Sequence, residues 1–291
     1  MNKITYKASE SPYRNESWIK TGLPKLDGII GQGIPRGRIT EIVGNKSTGK
    51  TTLAMTIIRE CQKNGLNCVF ADVENSLNFK RAEELGVDLD DLTVIHASYG
   101  EEYLDEIARE IETGKVDLIV IDSLAALSPR VEAEGDNEKQ PIGAHARMVA
   151  KFLRKVIMPL RQHSVALIII NHVTIDIMSG MEKSPGGKAL EYYKSVQVHM
   201  RLHAQGAIKQ GERQVGNKYI LKIKKNKCGA PFGQCDVTLL YDSGYSVEAD
   251  MLEQGLIDGT IVRKGNTFFM GDEKMGVGMS NAREWLKSRK V

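Results

Sequence analysis

Apolar residues in this chain come in short unbroken runs, with polar residues gathered between them. Val116-Asp117-Leu118-Ile119-Val120-Ile121-Asp122-Ser123 and Val165-Ala166-Leu167-Ile168-Ile169-Ile170-Asn171 are short and apolar on both faces. Such runs predict strands buried inside a parallel sheet. Asn67-Cys68-Val69-Phe70-Ala71-Asp72-Val73-Glu74 reads as another, as do Ile39-Thr40-Glu41-Ile42-Val43 and Leu92-Thr93-Val94-Ile95-His96. Between the strands the period lengthens. Residues 53–60 read as an amphipathic helix, 79–86 look helical, and 101–114 place Tyr103, Ile107 and Ile111 on one face. A helix is also predicted over 143–160. Strands alternating with helices predict an α/β fold with a mostly parallel central sheet.

The ends of the chain differ from its middle. Residues 195–247 predict consecutive strands, at 196–202, 218–225 and 237–241. From 249 onward glycines recur, with a hairpin predicted at 260–262 and 267–270 and a closing helix containing Ala282, Trp285 and Leu286. Residues 1–16 are polar and weakly patterned. Residues 3–7 alternate as a short strand would, so they are either a disordered tail or a strand donated to a neighbour's sheet edge. The expected organisation is an N-terminal arm at 1–16, a core at 17–248 and a small α+β appendage at 249–291. Two loops interrupt the core. Residues 130–142 are polar, and residues 173–187 carry Ser179-Gly180 and Ser184-Pro185-Gly186-Gly187 before a helix from about Lys188. So long a loop inside a compact domain points to function.

Composition changes this picture little. A net charge of +3 over 291 residues neither demands nor excludes nucleic acid. The four cysteines, Cys61, Cys68, Cys228 and Cys235, have no metal-binding or disulfide-framework spacing, as expected of reduced thiols. No apolar stretch approaches a membrane span and no signal-peptide core is present, so no membrane association and a cytoplasmic location are expected.

The sharpest chemical signal is Gly44-Asn45-Lys46-Ser47-Thr48-Gly49-Lys50-Thr51-Thr52, which fits GxxxxGK[ST] at every fixed position. A β-prone segment precedes it and a helix follows, the context this phosphate-binding loop needs. Glycines let the backbone wrap phosphate oxygens with N–H groups pointing inward. Lys50 is expected to reach the β- and γ-phosphates of ATP, and the Thr51 hydroxyl to ligate Mg²⁺. A chance glycine turn would not bring matching flanks. With that loop in place, Asp122 at its strand tip reads as a Walker B acid holding Mg²⁺ through water. Other features leave two readings open. Glu74, at a strand end facing the ligand crevice, is a general base for water or a solvated loop carboxylate. His172, beside Asn171 at another tip, senses the nucleotide or is a hydrogen-bonded strand-end histidine. Arg147, Lys151 and Arg154 share a helix face that is either a phosphate-binding stripe or ordinary solvated charge. Lys222-Ile223-Lys224-Lys225-Asn226-Lys227 is strongly basic or simply a solvent-facing strand edge.

Taken in order, the phosphate loop, Phe70-Ala71-Asp72-Val73-Glu74-Asn75, Ile121-Asp122-Ser123-Leu124-Ala125-Ala126-Leu127, Ala146-Arg147-Met148, Asn171, Gly186-Gly187 and Lys225-Asn226-Lys227 before Ala230-Pro231-Phe232 resemble the bacterial RecA recombinase family. The resemblance runs from about residue 17 to the end. The chain is shorter than a typical bacterial member, without its long N-terminal helix or acidic tail, and so looks like a compact, phage-encoded relative. The resemblance implies a RecA-type P-loop core and an ATPase that needs ATP and Mg²⁺. It implies that Glu74 polarises the attacking water and that Lys225 and Lys227 reach ATP bound on the adjacent subunit. Residues 130–142 and 173–187 match the family's two DNA-binding loops, Arg147, Arg154, Gly186, Gly187 and Lys188 fall where it contacts the DNA backbone, and Tyr192 matches an aromatic coupling ATP to DNA. The implied function is a DNA-dependent ATPase that forms a head-to-tail homo-oligomeric filament on single-stranded DNA and pairs it with homologous duplex DNA.

Departures from the family pattern accompany this. His172 stands where the family has a γ-phosphate-sensing glutamine, and histidine as a class titrates near neutral pH. Arg81 aligns with a tyrosine that stacks on adenine. The first loop carries Glu132, Glu134, Asp136 and Glu138, so charge alone does not favour DNA there. Two alternatives follow: a ring-forming RecA-fold helicase or branch-migration motor, and a nucleotide-switched DNA-binding accessory protein.

Overall fold

The computed structural model describes residues 5–14, 16–134, 143–175 and 182–289. The chain enters through β1 (Trp18–Ile19), α1 (Pro24–Ile30) and β2 (Ile34–Pro35), with β1 and β2 paired antiparallel. The core then alternates: β3 (Ile39–Gly44), α2 (Lys50–Lys63), β4 (Cys68–Asp72), α3 (Phe79–Glu84), β5 (Leu92–Ile95), α4 (Gly100–Thr113) and β6 (Leu118–Asp122). Next come α5 (Arg130–Ala133), α6 (Ala144–His163), β7 (Ala166–His172), the short β8 (Thr174–Ile175) and β9 (Glu182–Lys183), and α7 (Gly187–Tyr193). Strands β10 (Val196–Gln210), β11 (Arg213–Asn226), β12 (Gln234–Leu240) and β13 (Gly244–Tyr245) close the main sheet. The chain ends in α8 (Val247–Asp258), β14 (Ile261–Lys264), β15 (Thr267–Met270), β16 (Glu273–Val277) and α9 (Met279–Ser288).

The main sheet has nine strands in the order β13-β12-β11-β10-β3-β7-β6-β4-β5. From β10 to β5 every pairing is parallel, and from β10 to β13 every pairing is antiparallel. The sequence dictates this layering. Successive strand side chains point to opposite faces, and in β4, β6 and β7 both faces are apolar. Phe70, Val120 and Ile168 therefore enter the core beneath α1 and α2, while Val69, Ile119 and Ile169 enter the core beneath α4 and α6. The sheet is buried on both sides, as parallel pairing requires. Helix α4 shows the complementary pattern, burying Tyr103, Leu104, Ile107 and Ile111 along one stripe and ending at Gly114, whose φ of +64° suits a left-handed cap.

Several stretches differ from the sequence expectation, among them a short helix, α5, and the β8–β9 pair inside the two expected loops. Residues 5–7, the described part of the alternating 3–7 segment, form no strand. The β10–β11 hairpin runs well past the sheet, to Gln210 and Arg213, on mostly exposed polar residues. The C-terminal hairpin gains a third strand, β16, and α8 occupies residues where no helix was expected. Residues 249–289 hold a small apolar cluster of their own, Leu252, Ile261, Phe268, Met275, Ala282 and Leu286. The four cysteines are free thiols, and among the described residues no helix is long and apolar enough to cross a membrane.

Candidate active site

The parallel strands β3, β4, β6 and β7 end on one edge of the sheet, and their C-terminal tips form the crevice in which α/β folds hold ligands. The phosphate-type loop leaves β3 at Gly44. A side chain there would meet the Met200 carbonyl oxygen at 2.6 Å and Thr48 Oγ1 at 2.9 Å, so only glycine fits. The turn continues through left-handed conformations at Ser47 (φ 58°) and Gly49 (φ 81°). Asn45, Lys46 and Ser47 are exposed, Thr48 is buried, and Thr52 lies in the first turn of α2. No side chain caps α2, which leaves its first N–H groups aimed into the loop. A helix end of this kind attracts anions.

Lys50 is 6% exposed and donates to the carbonyls of Gly44 (3.2 Å) and Asn45 (2.9 Å), inside the loop. Burial lowers its pKa, against the pull of Asp122 and Glu74. Thr51 Oγ1 donates to Asp122 Oδ2 at 2.6 Å. Burial pushes the Asp122 carboxyl up to about 6, with the Glu74 charge adding to the rise and the Thr51 bond opposing it.

Glu74 lies in the turn after β4. The backbone N–H groups of Val73 and Glu74 donate to the Asp122 carbonyl (2.9 and 3.2 Å), and Asp72 accepts from Ser76 and Leu77 N–H, both at 3.1 Å. These bonds fix the turn against the end of β6. Glu74 Oε1 accepts from Ser123 Oγ at 2.5 Å and sits 3.2 Å from His172 Nε2. Burial alone would raise the Glu74 pKa, but the Ser123 and His172 bonds and the Lys50 charge outweigh it and hold the group below its ordinary value. The other imidazole nitrogen, His172 Nδ1, lies 3.4 Å from Lys50 Nζ. One imidazole thus touches both the lysine and the glutamate. Among the described residues no group of three or more His, Cys, Asp or Glu side chains is placed to hold a metal. Mg²⁺ needs no such cage, because it binds through one or two carboxylates plus substrate phosphates. The Thr51–Asp122 pair fits that mode.

The remaining expected residues lie elsewhere. Lys225 Nζ donates to the Glu191 carbonyl, and Lys227 Nζ to the Tyr192 carbonyl at 2.8 Å, so both cap the C-terminal end of α7. Burial, with Lys227 and Lys194 close by, lowers the Lys225 pKa. Gly186 and Gly187 form the turn into α7, both at positive φ (108° and 68°). A Cβ on Gly187 would sit 3.2 Å from Ala146 Cβ, so the start of α7 abuts the start of α6. Arg147, Lys151 and Arg154 are exposed on α6, and Lys188 is exposed beside them on α7; Tyr192 is 72% exposed. Most of the first loop (135–142) and part of the second (176–181) lie outside the described residues. Arg81 bonds the Asp242 carbonyl and Glu84 (3.2 Å). Sequence reasoning missed Ser123 as a partner of Glu74, and it missed a buried network around Glu41. The available signal was a lone acid inside the apolar strand 39–43.

A glycine loop between strand and helix, with a threonine bonded to the acid at a neighbouring strand tip, defines a P-loop nucleoside triphosphatase of the α/β class. The family model described as RecA N-terminal domain matches residues 7–246. Protein RecA of Wolinella succinogenes is 40% identical over 286 residues, covering 97% of this chain and 81% of its own. Protein RecA of Sulfurimonas denitrificans is 41% identical over 278 residues (94% and 80%), and that of Helicobacter hepaticus 39% over 277 (94% and 80%). The chain belongs to the RecA family of ATP-dependent DNA recombinases, which are DNA-dependent P-loop ATPases. The ring motor and the accessory switch are not favoured.

Proposed function

We propose that this protein assembles head to tail on single-stranded DNA, hydrolyses ATP in the crevice described above, and pairs the bound strand with homologous duplex. The observation that carries this is the convergence of Lys50, the Thr51–Asp122 pair and Glu74 at adjacent strand tips, with Glu74 held by Ser123 and His172. Lys50, whose Nζ lies inside the loop, would reach the β- and γ-phosphates of bound ATP. The N–H groups of residues 44–52 wrap the phosphate oxygens. Thr51 and Asp122 are the residues that would hold Mg²⁺, which would supply charge neutralisation at the phosphates. Glu74, kept ionised by its neighbours, orients the attacking water. Lys225 and Lys227 lie at the end of α7 and serve the ATP of the next subunit, as an arginine finger does in trans. Arg147, Arg154, Gly186, Gly187 and Lys188 grip the DNA backbone where α6 and α7 begin. We treat residues 249–291 as a separate small unit, resting on its own apolar cluster.

Replacing Lys50 by Ala should abolish nucleotide-dependent assembly on DNA, scored by sedimentation with an ATP analogue. Full assembly in that variant would overturn the proposal. Glu74→Gln should keep ATP-dependent DNA binding while hydrolysis falls by about 10²-fold or more.

A further inference from the structure

Behind the phosphate loop lies a polar network inside an otherwise apolar sheet. Glu41, on β3, is fully buried. Its Oε2 accepts from Lys194 Nζ at 2.7 Å and from Gln197 Nε2 at 2.7 Å, and its Oε1 accepts from Asn171 Nδ2 at 3.0 Å. Lys194, also fully buried, is the residue that ends α7, and it bonds Glu191 one turn back. Asn171, fully buried, precedes His172 on β7, and the same Nδ2 donates to the Pro185 carbonyl at 2.8 Å. That carbonyl begins the Pro185-Gly186-Gly187 turn into α7.

The network therefore joins three places. One is the strand that carries the phosphate loop, three residues before Gly44. Another is the strand tip whose next residue touches both Lys50 and Glu74. The third is α7, held at its start through Asn171 and at its end through Lys194. A buried ion pair contributes little net stability over an apolar pair of the same shape. Its geometry is nonetheless strict, since each charge left unpaired would be costly. Such a group of bonds transmits displacement rather than absorbing it.

We propose that Lys194, Glu41 and Asn171 form a strut that sets the Pro185–Gly187 turn relative to the phosphate loop, and that through it DNA on the turn and nucleotide in the loop affect one another. These are positioning residues, and the inference rests on the reading of that turn as DNA-binding. A nucleotide that moves Lys50 and His172 shifts β7's tip. Asn171 then carries the shift to the Pro185 carbonyl, while Lys194 keeps the far end of α7 fixed to β3. Gln197 bonds the same carboxylate from β10 but touches neither α7 nor the turn in this network, so it lies off the route.

The test compares full-length variants. Lys194→Met combined with Glu41→Gln removes both buried charges together and leaves no buried orphan ion, since Glu191 is exposed. Thermal melting first establishes that the variant folds, and ATP hydrolysis is then measured without DNA and across a titration of single-stranded DNA. The expected result is basal hydrolysis within about twofold of wild type and a rise of about tenfold or more in the DNA concentration giving half-maximal stimulation, a coupling change of ordinary allosteric size. Gln197→Leu should lower melting temperature while leaving stimulation intact. Stimulation like wild type in the folded double variant would overturn the strut. So would an equal fall in basal and stimulated rates, or the same loss of stimulation in Gln197→Leu, since each marks a purely structural network. If the double variant does not fold, Asn171→Ala, which cuts the link to Pro185, is judged by the same outcomes. Wild-type hydrolysis that ignores DNA would bring down the DNA-binding reading itself, a failure distinct from that of the strut.

Discussion

Asp27 shows how a single buried carboxylate makes stability depend on pH. It accepts from Thr21 N–H at 3.0 Å and from the Thr21 hydroxyl at 2.7 Å, with the Lys20 ammonium 3.9 Å away. Burial still wins and pushes its pKa up to about 6. The folded protein therefore keeps a proton that the unfolded chain loses near pH 4. Stability from this group is complete below the unfolded value and is lost as pH rises through about 6. Asp27→Asn keeps an acceptor for Thr21 and should flatten that loss, gaining on the order of 1–2 kcal/mol over wild type at neutral pH. Urea midpoints at acid and neutral pH check this, and equal pH slopes in the two proteins would contradict it. The residue-level chemistry of the phosphate loop was legible in the sequence because its spacing is local. The partners of Glu74 were not, since Ser123 and His172 lie 49 and 98 positions away.

Among the elements, the turn into α7 is tightly constrained. Gly186 has a φ of +108°, and a Cβ there would lie 2.9 Å from both Leu124 Cδ2 and Leu190 Cδ2. Gly186→Ala would strain the backbone by about 1–3 kcal/mol and push the turn off Leu124. Affinity for labelled single-stranded DNA, read by fluorescence anisotropy, should fall by about tenfold, while nucleotide binding without DNA stays near wild type. Equal losses in both would mean that the turn is only structural. The central elements announced themselves in sequence because β6 and β7 are buried on both faces and carry unbroken apolar runs. Helix α8 did not. It buries Asp250, and it carries Gly255 in its interior because Ile261 packs where a Cβ would sit, 2.6 Å away. Strand β16 was hidden by Gly276, which sits against Asn281, and by a register shift between Phe268 and Phe269. In both, close packing of a glycine against a side chain of the next element replaced the local pattern.

At the scale of the molecule, α1 and α8 are tied together by charge. Lys25 of α1 is buried, bonds Glu253 of α8 and the Asp236 carbonyl, and lies 3.4 Å from Asp250 Oδ1; its own N–H donates to Asp250 Oδ2 at 2.8 Å. Burial would lower the Lys25 pKa, but Glu253 and Asp250 more than offset it. Lys25→Met leaves Asp250 buried without its cation and should cost about 3 kcal/mol, seen as an earlier melt. A melt unchanged from wild type would show that the junction is held by apolar packing alone. No sequence pattern links residues 225 positions apart, so this joint was invisible before the fold. We propose that DNA on the α6 and α7 face governs hydrolysis in a crevice completed by the next subunit. The deciding measurement is ATP hydrolysis with and without single-stranded DNA across protein concentration. Strong DNA stimulation with a cooperative dependence on protein concentration is the expected result, and hydrolysis indifferent to DNA and linear in protein would contradict it.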